Sequence, residues 1–206
     1  RAFEVSSAVL VPRPDTEVLV SSALALLAAE GEARILDLCT GSGILAITLA
    51  AERPLLRAIA TDKSPLALEV AKKNAVRHHV DDRVELRRGD LFDPVRDEAP
   101  FDLIVSNPPY IPSADIETLD ADVRDHEPRM ALDGGADGFD FHRRLVSASP
   151  TLLVPGGSLL IEVGAGQAEA LEALIRSDGR YEDVRSVIDY GGIARVVAAK
   201  VPSAFS

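Results

Sequence analysis

The chain is 206 residues long, 47% hydrophobic and 27% charged, which suffices for one sizeable core. Its net charge of -11, from 33 acidic against 22 basic residues, has the wrong sign for gripping phosphate backbones over a wide surface and argues against DNA or bulk RNA as substrate. A single cysteine, Cys39, rules out an internal disulfide and fits a reducing cytoplasm; no apolar run is long enough to span a bilayer, and no signal-peptide pattern opens the chain.

The start at Arg1 is expected to mark a trimmed or partial chain. Residues 1–11 alternate loosely in β-formers (Phe3, Val5, Val9, Leu10, Val11) and are expected to form a hairpin or an edge element. In Val11-Pro12-Arg13-Pro14-Asp15-Thr16-Glu17 two prolines fix an extended segment. Asp15 or Thr16 then caps a helix marked by Val18, Leu19, Ala23, Leu26 and Leu27. Structurally this is a stiff lead-in; functionally, Arg13 and Thr16 are held where they can reach a ligand at the sheet edge.

Residues 34–38 read as a first central strand, followed by Cys39-Thr40-Gly41-Ser42-Gly43 and a helix over 44–51. A strand, a tight glycine turn and a helix is how a nucleotide is received, although Asp-x-x-x-Gly-x-Gly is short of the full dinucleotide fingerprint. A second strand over 57–61 ends at Asp62, about 20 residues after the glycines, where a carboxylate accepts hydrogen bonds from ribose hydroxyls. The structural alternative for Asp62 is a helix cap, with Ser64 its competitor. A helix is predicted over 65–79, with Leu66, Leu68, Val70, Ala71 and Val76 as core candidates; His78 and His79 at its end lack ligand spacing, and no metal site is assigned.

After a third strand at 84–86, Asp90 is positioned to accept from an adenine amino group and Leu91 and Phe92 to pack on a base; otherwise they are a capped loop and two core residues. The apolar run 101–106 reads as a buried parallel strand, so Asn107-Pro108-Pro109-Tyr110 lies at its carboxyl end, where open α/β sheets bind ligands. Asn107 offers an acceptor on a short stem, the prolines supply rigid carbonyls without N–H groups, and Tyr110 supplies an aromatic wall. That combination suits a planar amide or amine, whereas the bland reading is a strand-ending turn. Residues 113–129 read as an irregular cover, 139–153 as a helix, 158–163 as a strand and 167–175 as a helix. Residues 184–187 and 193–199 read as a closing antiparallel pair. The sum is an α/β fold: a doubly wound, mostly parallel seven-stranded sheet with an antiparallel terminal hairpin.

Taken in order, Asp37-x-Cys-Thr-Gly41-Ser-Gly43, Asp62, Gly89-Asp90 and Asn107-Pro108-Pro109-Tyr110 resemble a class I S-adenosylmethionine-dependent methyltransferase, a Rossmann-like fold. The segments 11–17, 127–138 and Asp189-Tyr190-Gly191 to Arg195-Val196 narrow the likeness to the HemK/PrmC family, which methylates the side-chain amide of the GGQ glutamine in peptide chain release factors. The resemblance implies that Cys39, Thr40, Gly41, Ser42 and Gly43 hold the methionine end of the cofactor, that Asp62 holds the ribose, and that Asp90 and Leu91 meet the adenine. Asn107, Pro108 and Tyr110 would carry catalysis, with Asn107 also close to the cofactor, and Pro109, Arg13 and Thr16 would complete the substrate site. Cys39 departs from the family's usual glycine. A lead-in over 1–30 and a catalytic domain over 31–206 are expected, without the family's helical N-terminal domain. Other acceptors that such a loop serves are a ribosomal-protein glutamine and the exocyclic amino group of a nucleic-acid base; a non-catalytic cofactor-binding module is the remaining alternative. The expected state is a cytoplasmic monomer acting on release factors, without membrane or direct nucleic-acid contact.

Overall fold

A computed structural model describes residues 1–98 and 100–203. Seven strands form one sheet: β1 (Ala33–Leu38), β2 (Leu56–Asp62), β3 (Val84–Arg88), β4 (Phe101–Ser106), β5 (Leu153–Glu162), β6 (Glu182–Ile188) and β7 (Ala194–Lys200), in the spatial order β3-β2-β1-β4-β5-β7-β6. The first five are parallel, and β7 runs antiparallel to both β5 and β6. The order reverses between β1 and β4, the crevice where such sheets bind ligands.

Helices cover both faces: α1 (Thr16–Leu26), α2 (Ile44–Glu52), α3 (Pro65–Arg77), α4 (Ala121–His126), α5 (Arg129–Leu132), α6 (Asp140–Ala148) and α7 (Ala168–Asp178). The central strands read as continuous apolar runs because each face has a core of its own. Ile35, Leu103, Val105 and Leu160 pack with Leu19 of α1 and Ile47 of α2; Leu36, Leu38, Ile104, Leu159 and Ile161 pack with Leu145 of α6 and Leu171 of α7.

The expected architecture is the observed one, with local corrections. Residues 1–11 form no strand; they run along α3, where Glu4 N–H donates to Asn74 Oδ1 at 2.8 Å and Val9 packs on Ala67 and Val70. In α3 the buried stripe is Ala67, Val70, Ala71, Asn74 and Ala75, so Leu66 and Val76 are exposed. The small side chains let α3 lie close to the glycine turn: a Cβ on Gly43 would stand 3.2 Å from Ala71 Cβ. The helix expected over 139–153 ends at Ala148, where Pro150 opens a 3-10 turn. Strand β5 begins at Leu153, five residues early, because Pro155-Gly156-Gly157 forms an irregularity inside the strand: Phe101 pairs with Leu153 but Leu103 with Ser158. The cover over 113–129 contains the short helix α4, and α1 begins without a side-chain cap from Asp15.

Candidate functional site

A cavity opens at the carboxyl ends of β1, β2 and β4. It brings together Thr16, Cys39, Thr40, Gly41, Ser42, Asp62, Asp90, Leu91, Asn107 and Pro109. Of the other sequence candidates, Pro108 is buried beside it, Tyr110 is half-buried behind it, and Arg13 and Gly43 lie outside its lining.

The turn after β1 is built around two carboxylates. Asp37, wholly buried, accepts from Thr40 Oγ1 at 2.6 Å and from the Ala46 N–H at 3.1 Å, which ties the turn to the first turn of α2. Its Oδ1 has no partner among the described residues, and burial pushes its carboxyl up to about 7. Asp62 accepts from the Gly41 N–H at 2.9 Å and the Ser64 N–H at 2.8 Å. The helix cap is Ser64, whose hydroxyl accepts from the Ala67 N–H, so Asp62 is left to brace the turn and face the cavity. Burial raises its pKa and these N–H donors lower it.

Gly41, at φ +55°, has open space where a Cβ would stand, so the cavity reaches its backbone. Gly43 at φ +81° is constrained by packing instead: a Cβ would come within 2.6 Å of Ile47 Cδ1. Cys39 occupies the left-handed region at φ +61°, a conformation that favours glycine, and burial with the nearby carboxylates raises its thiol pKa. At the rim, Asp90 is bound by the Arg144 guanidinium at 2.9 and 3.3 Å, so an adenine amino group would share that carboxylate with Arg144.

The loop after β4 is held from three sides. Asn107 Nδ2 donates to Thr16 Oγ1 at 3.3 Å. The Tyr110 carbonyl accepts from Gln167 Nε2 at 2.8 Å, and Gly134 and Gly138 pack against the Tyr110 backbone. Ile111 and Asp133 pair as an isolated bridge, joining the loop to the cover. The Arg13 guanidinium is bonded to Glu127 Oε1 at 2.8 Å, which places Arg13 as a tie between lead-in and cover.

Several site residues carry no sequence signal of their own. The opening segment contributes Ala8, Val9, Leu10 and Pro12 to the cavity wall, and Met130 and Phe141 close it from α5 and α6. Asn74 joins the glycine turn to the opening segment, donating to Ser42 O and Glu4 O at 2.9 Å each. Glu162 and His142 are buried behind the loop; burial pushes Glu162 up to about 7 and His142 down to about 4. A buried polar residue within an apolar helical stripe is the one hint the sequence held for Asn74.

A family model described as Methyltransferase small domain matches residues 15–122. The chain is 47% identical over 199 residues to a protein of Geobacter sulfurreducens named release factor glutamine methyltransferase, covering 97% of this chain and 68% of that protein. A solved structure from Alicyclobacillus acidocaldarius, described as a release factor-specific protein-(glutamine-N5) methyltransferase, is 30% identical with a TM-score of 0.57, covering 97% of this chain and 99% of that one. An RNA methyltransferase from Salinibacter ruber, solved with S-adenosyl-L-homocysteine, shares the fold at 20% identity and a TM-score of 0.60, covering 95% of this chain and 97% of that one.

Proposed function

The chain belongs to the release factor glutamine methyltransferase family, and on that footing we propose that it methylates the side-chain amide nitrogen of the GGQ glutamine of a peptide chain release factor, using S-adenosylmethionine. The observation that carries this reading is one cavity shared by the Asp62-braced glycine turn and the Asn107 loop.

The residues present fit the cofactor. The open face of Gly41 admits a ligand to the backbone, and Asp62 keeps lone pairs for ribose hydroxyls after binding Gly41 and Ser64. When bound, S-adenosylmethionine supplies a methyl group on a sulfonium, an electrophile that needs no metal. An amide nitrogen is a poor nucleophile, because its lone pair is delocalised into the carbonyl. Asn107 Oδ1 and the Pro108 carbonyl accept its two N–H bonds and fix its orientation, and Tyr110 backs the loop that carries them. The contribution is positioning, which reaches roughly 7–11 kcal/mol in favourable cases. No strong base is needed beforehand, since the amide proton becomes acidic only once the nitrogen is alkylated.

Among the described residues no helix is long and apolar enough to cross a membrane, and the net charge of -11 favours a protein acceptor over a nucleic-acid one. The test is incubation with labelled S-adenosylmethionine and, separately, a release factor, a GGQ-loop peptide, total RNA and duplex DNA. Label on the release-factor glutamine is expected. Label on nucleic acid alone would replace the acceptor.

A further inference from the structure

Glu162 ends β5 beneath the Asn107 loop and is 1% exposed. Leu159 and Ile161 face the α6 core and Leu160 the α1 core, so alternation turns Glu162 toward α1. There its carboxylate lies beside the Thr16 hydroxyl and the Asn107 amide, both of which favour its charged form, and Asn107 Nδ2 donates to Thr16 Oγ1 at 3.3 Å. The titratable and charged groups facing it are Asp15 at the start of α1, Arg195 of β7, Tyr110 of the loop and His142 of α6. Arg195 is engaged elsewhere, with Asp15 at 3.0 Å and Asp189 at 2.9 Å. Oε2 of Glu162 has no partner among the described residues.

A carboxylate buried with one oxygen unpaired is a poor stabilising device; an apolar residue of similar size would cost less. The arrangement makes chemical sense through Asn107. The two ends of a side-chain amide have nearly the same shape, yet one is a donor and the other an acceptor, and only the acceptor can hold a substrate N–H. We propose that Glu162 is a positioning residue: with Thr16 it draws the Asn107 NH2 group inward, so that Oδ1 is the atom left facing the substrate amide. This deepens the proposed role of Asn107 and rests on it. Protonation turns the carboxyl into a donor and removes that bias, so turnover follows the ionisation of Glu162. Of its neighbours, His142 and Tyr110 titrate far away, at about 4 and about 12. Asp37 titrates in the same range but belongs to the cofactor turn.

The experiment has two arms. The first follows the Asn107 side-chain NH2 signals of the free protein by NMR from about pH 5 to about 9, a range that brackets the Glu162 titration. The signals should shift with a midpoint near 7 in the wild type and in Asp37→Asn, and should be flat in Glu162→Gln. The second measures turnover with a release factor. Glu162→Gln should lower kcat on the order of 10- to 100-fold, lose the rise of kcat with pH, and keep the cofactor KM. Asn107 signals that ignore pH in the wild type, or a Glu162→Gln enzyme with wild-type kcat and pH profile, would overturn the proposal. In the NMR arm the comparison of wild type with Asp37→Asn needs neither substrate nor the Glu162→Gln protein. It therefore still decides the matter if the variant misfolds, and a wild type that leaves release factors unlabelled would sink the acceptor reading without deciding the orientation of Asn107.

Discussion

The N–H of Gly41 and the carboxylate of Asp62 meet at 2.9 Å, joining the turn after β1 to the end of β2. One side chain thus sets the shape of the glycine turn and faces the cavity. Replacing Asp62 by Ala removes the acceptor for Gly41 and Ser64 together with the proposed ribose contact. Charge-assisted hydrogen bonds contribute roughly 1.5–3 kcal/mol, so cofactor affinity should fall on the order of 10- to 100-fold. Calorimetry reads this directly, and an unchanged Kd would remove Asp62 from the ribose site.

Asp37 gives stability a definite dependence on pH. Burial lifts its carboxyl from 3.8 to about 7, so between those values the native state keeps a proton that the unfolded chain has released. Stability therefore falls as pH rises through that window. Asp37→Asn has no such proton. Its stability relative to wild type should climb from about pH 4 to about 7, with an upper limit on the order of 4 kcal/mol. Glu162 slopes the wild-type curve the same way and His142 the opposite way, but both are common to the two proteins and cancel in the difference. Urea titrations at about pH 5 and about pH 8 measure it; equal differences at the two would mean that Asp37 ionises without a burial penalty.

The elements that sequence made legible are those with a local cause. An apolar strand running into glycines and an acidic residue about 20 positions later placed the turn and Asp62 on one site. The Asn-Pro-Pro-Tyr loop was legible because its chemistry is confined to four adjacent residues. Glu162 was not, since a lone glutamate after Ile161 looks like the exposed end of a strand, and its burial depends on α1 arriving from far away in sequence. The opening segment misled because alternating β-formers favour a strand only where a sheet edge is free to pair. Here Asn74 takes its backbone instead, accepting from Glu4 N and donating to Glu4 O. Arg13 was expected to reach the substrate and bonds Glu127 from the cover.

The Arg13–Glu127 pair fixes the cover to the lead-in. Glu127 has a side chain 6% exposed and an Oε2 without a partner among the described residues, so Arg13→Ala leaves a buried carboxylate uncompensated. Because Arg13 is itself 39% exposed, solvent screening holds the loss to about 1–2 kcal/mol. That loss should be local: faster amide exchange over residues 113–132, with exchange in β1 and β4 unchanged. Uniformly faster exchange would instead show that the pair supports the whole fold.

Gly138 separates the Asn107 loop from the glycine turn experimentally. It sits at φ +79°, and a Cβ there would stand 2.4 Å from the Tyr110 carbonyl oxygen and 2.9 Å from Gln167 Nε2. Those two atoms share the 2.8 Å hydrogen bond that anchors the loop behind Tyr110. Because the 2.4 Å contact is with the Tyr110 backbone, Gly138→Ala displaces the loop or opens that bond, at a cost of roughly 1–3 kcal/mol in strain. The atoms nearest that Cβ belong to Tyr110 and Gln167 rather than to the glycine turn or Asp62. Turnover should therefore fall on the order of 100-fold, the scale set by a misplacement of about 1 Å, while cofactor Kd stays within about twofold. Loss of cofactor binding in parallel would mean that loop and turn move as one body, and that the Tyr110–Gln167 bond supports the entire cavity rather than its substrate side.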